Sequence, residues 1–221
     1  MKNQTIFFAL LFTVMTSIVK GEQHPREILN QVADAAGLSS FESVESISYT
    51  FNAEIGAKEV SRGWTWFPKE DRVIYLPGLS GEVSYLRSDL ESDETLAGVD
   101  QKFINDLYWL IFPFVAAWDA TTTIEVIPEG NFTNNIEAAG GLEVIYPDGV
   151  GYTPGDVYEI YYDEDFLVTD WVFRKGGSET PSRITAWENY ENFGPLAISL
   201  NRTSGTDNFR IFFSDVAVTT P

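Results

Sequence analysis

From residue 46 onward the chain alternates between apolar and polar side chains. Ile47, Tyr49, Phe51, Ala53 and Ile55 occupy every second position, against Ser46, Ser48, Thr50, Asn52 and Glu54. That is the period of a strand with one face in a core and the other in water. Residues 60–67, 72–76 and 82–87 predict further strands. The intervals between them, Gly56-Ala57-Lys58, Lys69-Glu70 and Pro77-Gly78, have the length of turns in an antiparallel meander. After an interruption, strands resume at 121–127, 142–146, 157–162, 166–174, 182–190, 196–203 and 209–218, joined through turn-formers such as Pro147-Asp148-Gly149, Pro154-Gly155 and Ser204-Gly205-Thr206.

Two segments depart from period two. Pro25 suits a first helical turn, Ile28, Leu29, Val32, Ala33 and Ala36 follow at helical spacing, and Gly37 is placed to cap the end. Residues 103–118 carry Phe103, Leu107, Leu110, Ile111, Phe114 and Trp118 on one helical face, while Tyr108, Trp109, Phe112 and Val115 fill much of the rest. A helix apolar on nearly all sides is suited to burial on all sides, and Pro113 must kink or end it. The stretch 88–100, with Asp89, Glu91, Asp93, Glu94 and Asp100, reads as a solvated loop or a short helix.

These elements predict a mainly β (α+β) fold in one domain, residues 22–221. Its frame is a single large curved antiparallel sheet, or incomplete barrel, of about eleven strands. Helices are too few to cover both faces of such a sheet. The N-terminal helix flanks it, and the apolar helix is expected across the concave face as a lid or plug.

The first 21 residues follow another logic. A short basic start precedes a nearly unbroken apolar stretch from Ile6 to Val19, and Val19-Lys20-Gly21 offers small residues at a cleavage point. The stretch is short for a membrane span and has the pattern of a secretory signal peptide. An exported protein is expected, periplasmic or else secreted. Cleavage after Gly21 would remove Lys2 and Lys20 but no acid, taking the net charge from −19 to −21.

Composition narrows the chemistry. The chain has 33 acidic and 14 basic residues, one His and no Cys. Without Cys there is no disulfide framework, thiolate metal site or Cys nucleophile. His24 lies beside the cleavage region, so Ser-His-Asp and His general-base chemistry lack a credible resident. A chain this acidic is repelled by nucleic-acid phosphates and by anionic head groups. No catalytic residue, cofactor or metal is therefore assigned.

The order of elements, with "WTWFPKEDRVIY" early and "VYEIYYDEDFLVTDWVFRKGG", "RITAWENYENFGPLAISLNR" and "NFRIFFSDVAV" late, resembles the periplasmic lipoprotein-carrier superfamily typified by the LolA outer-membrane lipoprotein-sorting proteins. The resemblance is one of pattern over residues 25–218 and includes no catalytic fingerprint. It implies an incomplete barrel closed by helices, with an apolar cavity for acyl chains of a lipid or lipoprotein and a membrane-bound donor or acceptor protein as partner.

Independently, the 16 Phe, 10 Tyr and 6 Trp suggest an aromatic-lined cavity for an apolar ligand. Such a cavity gains roughly 25 cal/mol per Å² of apolar area removed from water. Trp64, Trp66, Trp109, Phe112, Phe114, Trp118 and Trp171 are the candidate lining residues, with simple core filling as the competing role of each. The alternative function is a carboxylate-dependent glycoside hydrolase or a carbohydrate-binding protein. Asp163, Glu164, Asp165 and Asp170 form its acidic cluster, although neighbours in a turn point apart and a glycosidase needs two carboxylates in one cleft. The acidic stretches lack the spacing of a calcium loop. Gly140-Gly141 and Gly149-Val150-Gly151 lack the setting of a phosphate loop and read as sites of positive φ or bulges. The sequons at Asn131 and Asn201 matter only in a host that glycosylates exported proteins.

Overall fold

The computed structural model describes residues 23–78, 81–149, 151–205 and 208–221; the expected leader lies outside them. Helix α1 (Pro25–Ala35) starts where His24 Nδ1 accepts the Arg26 amide and buries Leu29, Val32 and Ala33. Gly37, at φ 104°, ends it. A Cβ there would lie 2.3 Å from the Pro195 carbonyl, so both the backbone angle and the contact require glycine.

The strands are β1 (Ser46–Ile55), β2 (Lys58–Phe67), β3 (Arg72–Leu76), β4 (Val83–Leu86), β5 (Thr123–Val126), β6 (Gly140–Ile145), β7 (Val157–Tyr162), β8 (Val168–Arg174), β9 (Arg183–Phe193), β10 (Leu196–Thr203) and β11 (Phe209–Thr219). Among the described residues they form one antiparallel sheet of eleven strands, ordered β4-β3-β2-β1-β11-β10-β9-β8-β7-β6-β5. The first strand pairs with the last, Ile47 opposite Val218 and Phe51 opposite Phe213. The sheet does not close. Its free edges are β4 and β5, and helix α2 (Glu94–Trp118) is the connection between them. A link joining opposite edges of a curved sheet has its shortest path across the concave face. The incomplete barrel with a plug helix is thus a consequence of the topology.

The alternation places its apolar set on that face. Ile47, Tyr49 and Phe51 of β1, Trp64 and Trp66 of β2, Leu142 and Val144 of β6, Tyr158 and Ile160 of β7, and Ile211 and Phe213 of β11 are buried there with Phe103, Leu107, Leu110, Phe112 and Phe114 of α2. Each large side chain so buried contributes about 1.5–3 kcal/mol.

Helix α2 begins earlier than the apolar pattern implies. Asp93 caps it by accepting the Thr95 amide at 2.9 Å, so the second half of the acidic stretch is helical. Asp100, read as solvated, is only 1% exposed. The glycines of Gly140-Gly141 have another role than the one expected. Neither adopts a positive φ; a Cβ would lie 2.2 Å from Tyr162 Oη at the first and 2.9 Å from the Tyr161 ring at the second. Gly149 and Gly151 do take positive φ, 73° and 79°.

The convex face carries a smaller cluster, Ile127, Tyr161 and Val172, with Phe132, Ile136 and Ala138 of the β5–β6 connection packed against it. Beside it, Glu125, Glu143 and Glu159 stand directly opposite one another on three successive strands. Glu159 is neutralised by Arg174 at 2.5 Å and accepts the Tyr161 hydroxyl, also at 2.5 Å. Glu143 has no such ion pair among the described residues: burial, then the charges of Glu159 and Glu125, raise its pKa above the ordinary carboxylate value against the weaker pull of Arg174. Its charge therefore opposes folding, so its contribution is most favourable below the unfolded pKa and is lost as pH rises through the folded one. Glu143→Gln is expected to stabilise the protein at pH 7 by about 0.5 kcal/mol, the scale of one like-charge cross-strand pair. The gain in urea midpoint should shrink as pH falls toward 4; a midpoint unchanged at pH 7 would refute the repulsion.

Candidate functional site

Helix α2 is held on the concave face by polar contacts spaced along its length. Near its start, Asp100 accepts from Tyr85 Oη at 3.1 Å, Arg87 Nε at 3.0 Å and Tyr152 Oη at 2.6 Å. One carboxylate thereby ties α2 to β4 and to the β6–β7 loop. Two turns on, Asp106, 0% exposed, accepts from Arg62 at 2.7 and 2.5 Å, Trp64 Nε1 at 2.8 Å and Asn105 Nδ2 at 3.0 Å. Burial still raises the Asp106 carboxyl above its ordinary value, against the pull of Arg62. At the far end, Arg26 of α1 donates to the carbonyls of Ala116 at 3.2 Å and Asp119 at 3.1 Å, and to Thr122 O at 2.6 Å. It supplies donors and positive charge where a helix exposes carbonyls.

Between these lies the kink. Ile111, at φ −136° and ψ 41°, leaves the helical region. Pro113 has no amide to give the carbonyl of Trp109, its i−4 partner. That carbonyl instead accepts from Arg202 Nη2 at 2.7 Å. The Arg202 guanidinium is fully buried, donates to Ser199 O and Oγ at 2.7 Å each, and lies 3.8 Å from the Trp187 ring centroid and 5.4 Å from that of Phe213. No carboxylate bonds it among the described residues. Burial lowers its pKa to about 9, so at neutral pH it is a buried cation balanced by carbonyl dipoles and ring faces.

Alongside the first half of α2 is a cavity of about 260 Å³. Gln101, Ile104, Asn105, Tyr108 and Trp109 line it from α2, Tyr158, Trp171 and Phe173 from β7 and β8, and Tyr152, Thr153 and Asp156 from the loop between β6 and β7. On the strand wall Tyr158 stacks between Trp171 at 5.3 Å and Phe173 at 5.1 Å. From the helix, Trp109 meets Trp171 edge-on at 4.2 Å. The loop is positioned by Tyr146 N–H to Asp156 O, 3.0 Å, and by Gly155, where a Cβ would press Asp148 at 2.7 Å. The Thr153 hydroxyl neighbours the phenols of Tyr108 and Tyr158 but has no well-directed hydrogen bond, and Trp171 Nε1 is buried without an acceptor. Burial, then the Asp156 charge, raises the Tyr158 phenol pKa.

Of the residues expected to line a cavity, Trp109 and Trp171 meet at this one. Phe112 is packed against Tyr158 and Trp171, 4.8 and 5.4 Å away, behind the wall. Trp64 is buried with its indole on Asp106 and its ring stacked on Tyr75. Trp66, Phe114 and Trp118 form a separate group around Phe41 at the other end of the helix, where Trp118 is 46% exposed. Asp163 closes the β7–β8 turn by accepting the Asp165 and Leu167 amides, both at 3.0 Å. In the strand register this turn lies at the end of the hairpin remote from Phe173. Among the described residues no three acidic or His side chains are grouped to hold a metal ion.

No family model matches the chain, and no curated protein matches it by sequence. The solved structures that match the chain include two that cover most of its length. A DUF1329 family protein from Desulfovibrio piger is 11% identical over 89% of this chain and 94% of its own, with a TM-score of 0.48. An outer membrane lipoprotein-sorting protein domain from Vibrio parahaemolyticus is 11% identical over the same shares, with a TM-score of 0.46.

Sequence reasoning left Arg202 aside as part of a sequon. Its signal was its place after Leu196, Ile198 and Leu200 at period two, where an apolar residue is due. The pairing of Arg202 with the carbonyl freed by Pro113 is testable by a double-mutant cycle. Arg202→Met should cost about 2 kcal/mol in urea unfolding, the scale of a charge-assisted hydrogen bond lost in the interior. In a Pro113→Ala background, where residue 113 regains an amide, the same change should cost less than half as much. Equal costs in both backgrounds would show that the two residues are uncoupled.

Proposed function

We propose that the chain is an exported, non-catalytic binding protein that takes up an amphipathic ligand, a lipid or an acyl-bearing molecule, in the aromatic cavity beside α2. The observation that carries this reading is the cavity itself. Six of its lining residues are aromatic, and they come from three separate parts of the chain. These rings converge on a half-open space of about 260 Å³ and do not close over it.

The size qualifies the ligand. Pockets that enclose drug-sized molecules span roughly 300–1,000 Å³. With α2 seated, this one takes a head group or a short length of chain, and a full acyl chain needs α2 displaced. The helix is suited to that, because polar contacts at Asp100, Asp106 and Trp109 O seat it over a largely apolar face. A membrane-bound donor or acceptor that competes for those contacts would be the partner. Hydrolysis of a glycoside is less well supported: the cavity is lined by one carboxylate, Asp156, whereas acid–base cleavage uses two flanking the bond.

Native mass spectrometry of the purified protein, followed by lipid extraction, should show one amphiphile bound per chain. Gln101→Trp, a substitution at an exposed lining position, should fill the cavity and abolish binding with the unfolding midpoint unchanged. A protein that is ligand-free and takes up no added amphiphile stoichiometrically would overturn the proposal.

A further inference from the structure

The cavity has a sign. No Lys, Arg or His among the described residues lines it; its one charged lining group is Asp156. That carboxylate accepts the Gly176 amide at 2.8 Å and bonds no cationic side chain among the described residues. The remaining polar groups are the amides of Gln101 and Asn105 and the hydroxyls of Thr153, Tyr108, Tyr152 and Tyr158. The walls are aromatic, and a ring presents negative potential from its face. Asp100 stands directly behind the mouth, 2.6 Å from the Tyr152 hydroxyl, although Arg87 offsets its charge.

An anionic head group entering this space would lose its water, meet Asp156 and find no compensating cation. A neutral sugar would need an open ring face to stack on. Trp171 offers little, with Tyr158 stacked on it at 5.3 Å and Trp109 and Phe112 within 4.2 and 5.4 Å. A cation with an apolar skin meets neither difficulty. Its methyl or methylene groups need only van der Waals contact with the ring edges, its charge is favourable toward the Asp156 carboxylate, and a weakly hydrated ammonium loses little on entering. The net charge of −19 favours approach of a cation from a distance.

We infer that the cavity selects an alkylated ammonium group, with Asp156 as the counter-charge and Tyr108, Trp109, Tyr158 and Trp171 as the aromatic surround. This rests on the reading of the cavity as a ligand site and adds the chemistry of the ligand's polar end.

The test compares three probes of one chain length below their micelle concentrations: octyltrimethylammonium, octyl sulfate and octyl glucoside, titrated calorimetrically into the intact protein at 0.15 M salt. The cation should bind one per chain and at least about tenfold tighter than either of the others, since attraction to one close carboxylate reaches that factor. Asp156→Asn keeps an oxygen for the Gly176 amide and should erase the preference while leaving octyl glucoside affinity unchanged. Equal affinities for the three probes would overturn the cation assignment and leave the cavity reading intact. Binding of none would overturn both. Cation uptake that persists in Gln101→Trp would mark adsorption on the acidic surface and would also overturn the assignment.

Discussion

The missing amide of Pro113 constrains the middle of the molecule. A carbonyl with no intrahelical donor, inside a hydrophobic core, must find a partner or cost about 1–3 kcal/mol. Arg202 meets the need from β10. That solution creates a second problem, a buried guanidinium without a counter-charge, and the surrounding residues answer it in turn. Ser199 offers two oxygens and Trp187 a ring face at 3.8 Å. One proline thereby accounts for a buried arginine, for the polar residues beneath it and for an indole lying flat against a cation.

Seating the helix with ions and dipoles, where its apolar residues alone could do so, changes what the interface is. Apolar packing is non-directional and tolerates sliding, whereas Asp106 between Arg62 and Trp64, and Trp109 O on Arg202, fix the rotation and axial position of α2. The same contacts can be exchanged for equivalent ones with water or another molecule, which apolar burial cannot. A buried ion pair adds little net stability over an apolar pair of similar volume. Positioning is therefore the better account of why these groups are there, and the cavity is what correct positioning preserves, since its helix wall is the face carrying Gln101, Asn105 and Tyr108.

Much of this was legible beforehand. Period two marked the strands because each has one wet and one dry face, and the all-round apolar segment at 103–118 marked an element buried on every side. Two things were not legible for definite reasons. Pairing of β1 with β11 joins residues about as far apart as the chain allows, and no local pattern encodes it. The cavity is formed by Tyr152, Thr153 and Asp156, which read as turn residues, together with only two of the seven aromatics that composition singled out. Trp64, Trp66, Phe112, Phe114 and Trp118 were equally plausible from sequence, because periodicity assigns a residue to a face and says nothing of whether that stretch of the face is covered. Asp100 was misplaced for a similar reason. Acidic neighbours suggest solvent, and only the approach of Tyr85 from β4 and of Arg87 just after it shows the position to be interior.

The acidity of the chain takes on a different meaning in this setting. Its buried carboxylates are not spread at random: Asp100, Asp106 and Glu159 each face an arginine, Arg87, Arg62 and Arg174 in turn. Three of the scarce basic residues are thus committed to the interior, and a fourth, Arg202, to a carbonyl. The three pairs cancel, so the exterior is more negative than the overall count by the one charge of Arg202. Against that background Asp156 is unusual, since it lines a cavity and bonds only an amide. Asp100, Asp106 and Glu159 are supplied with a cation from within the chain; Asp156 faces a cavity, and its cation is best supplied from outside.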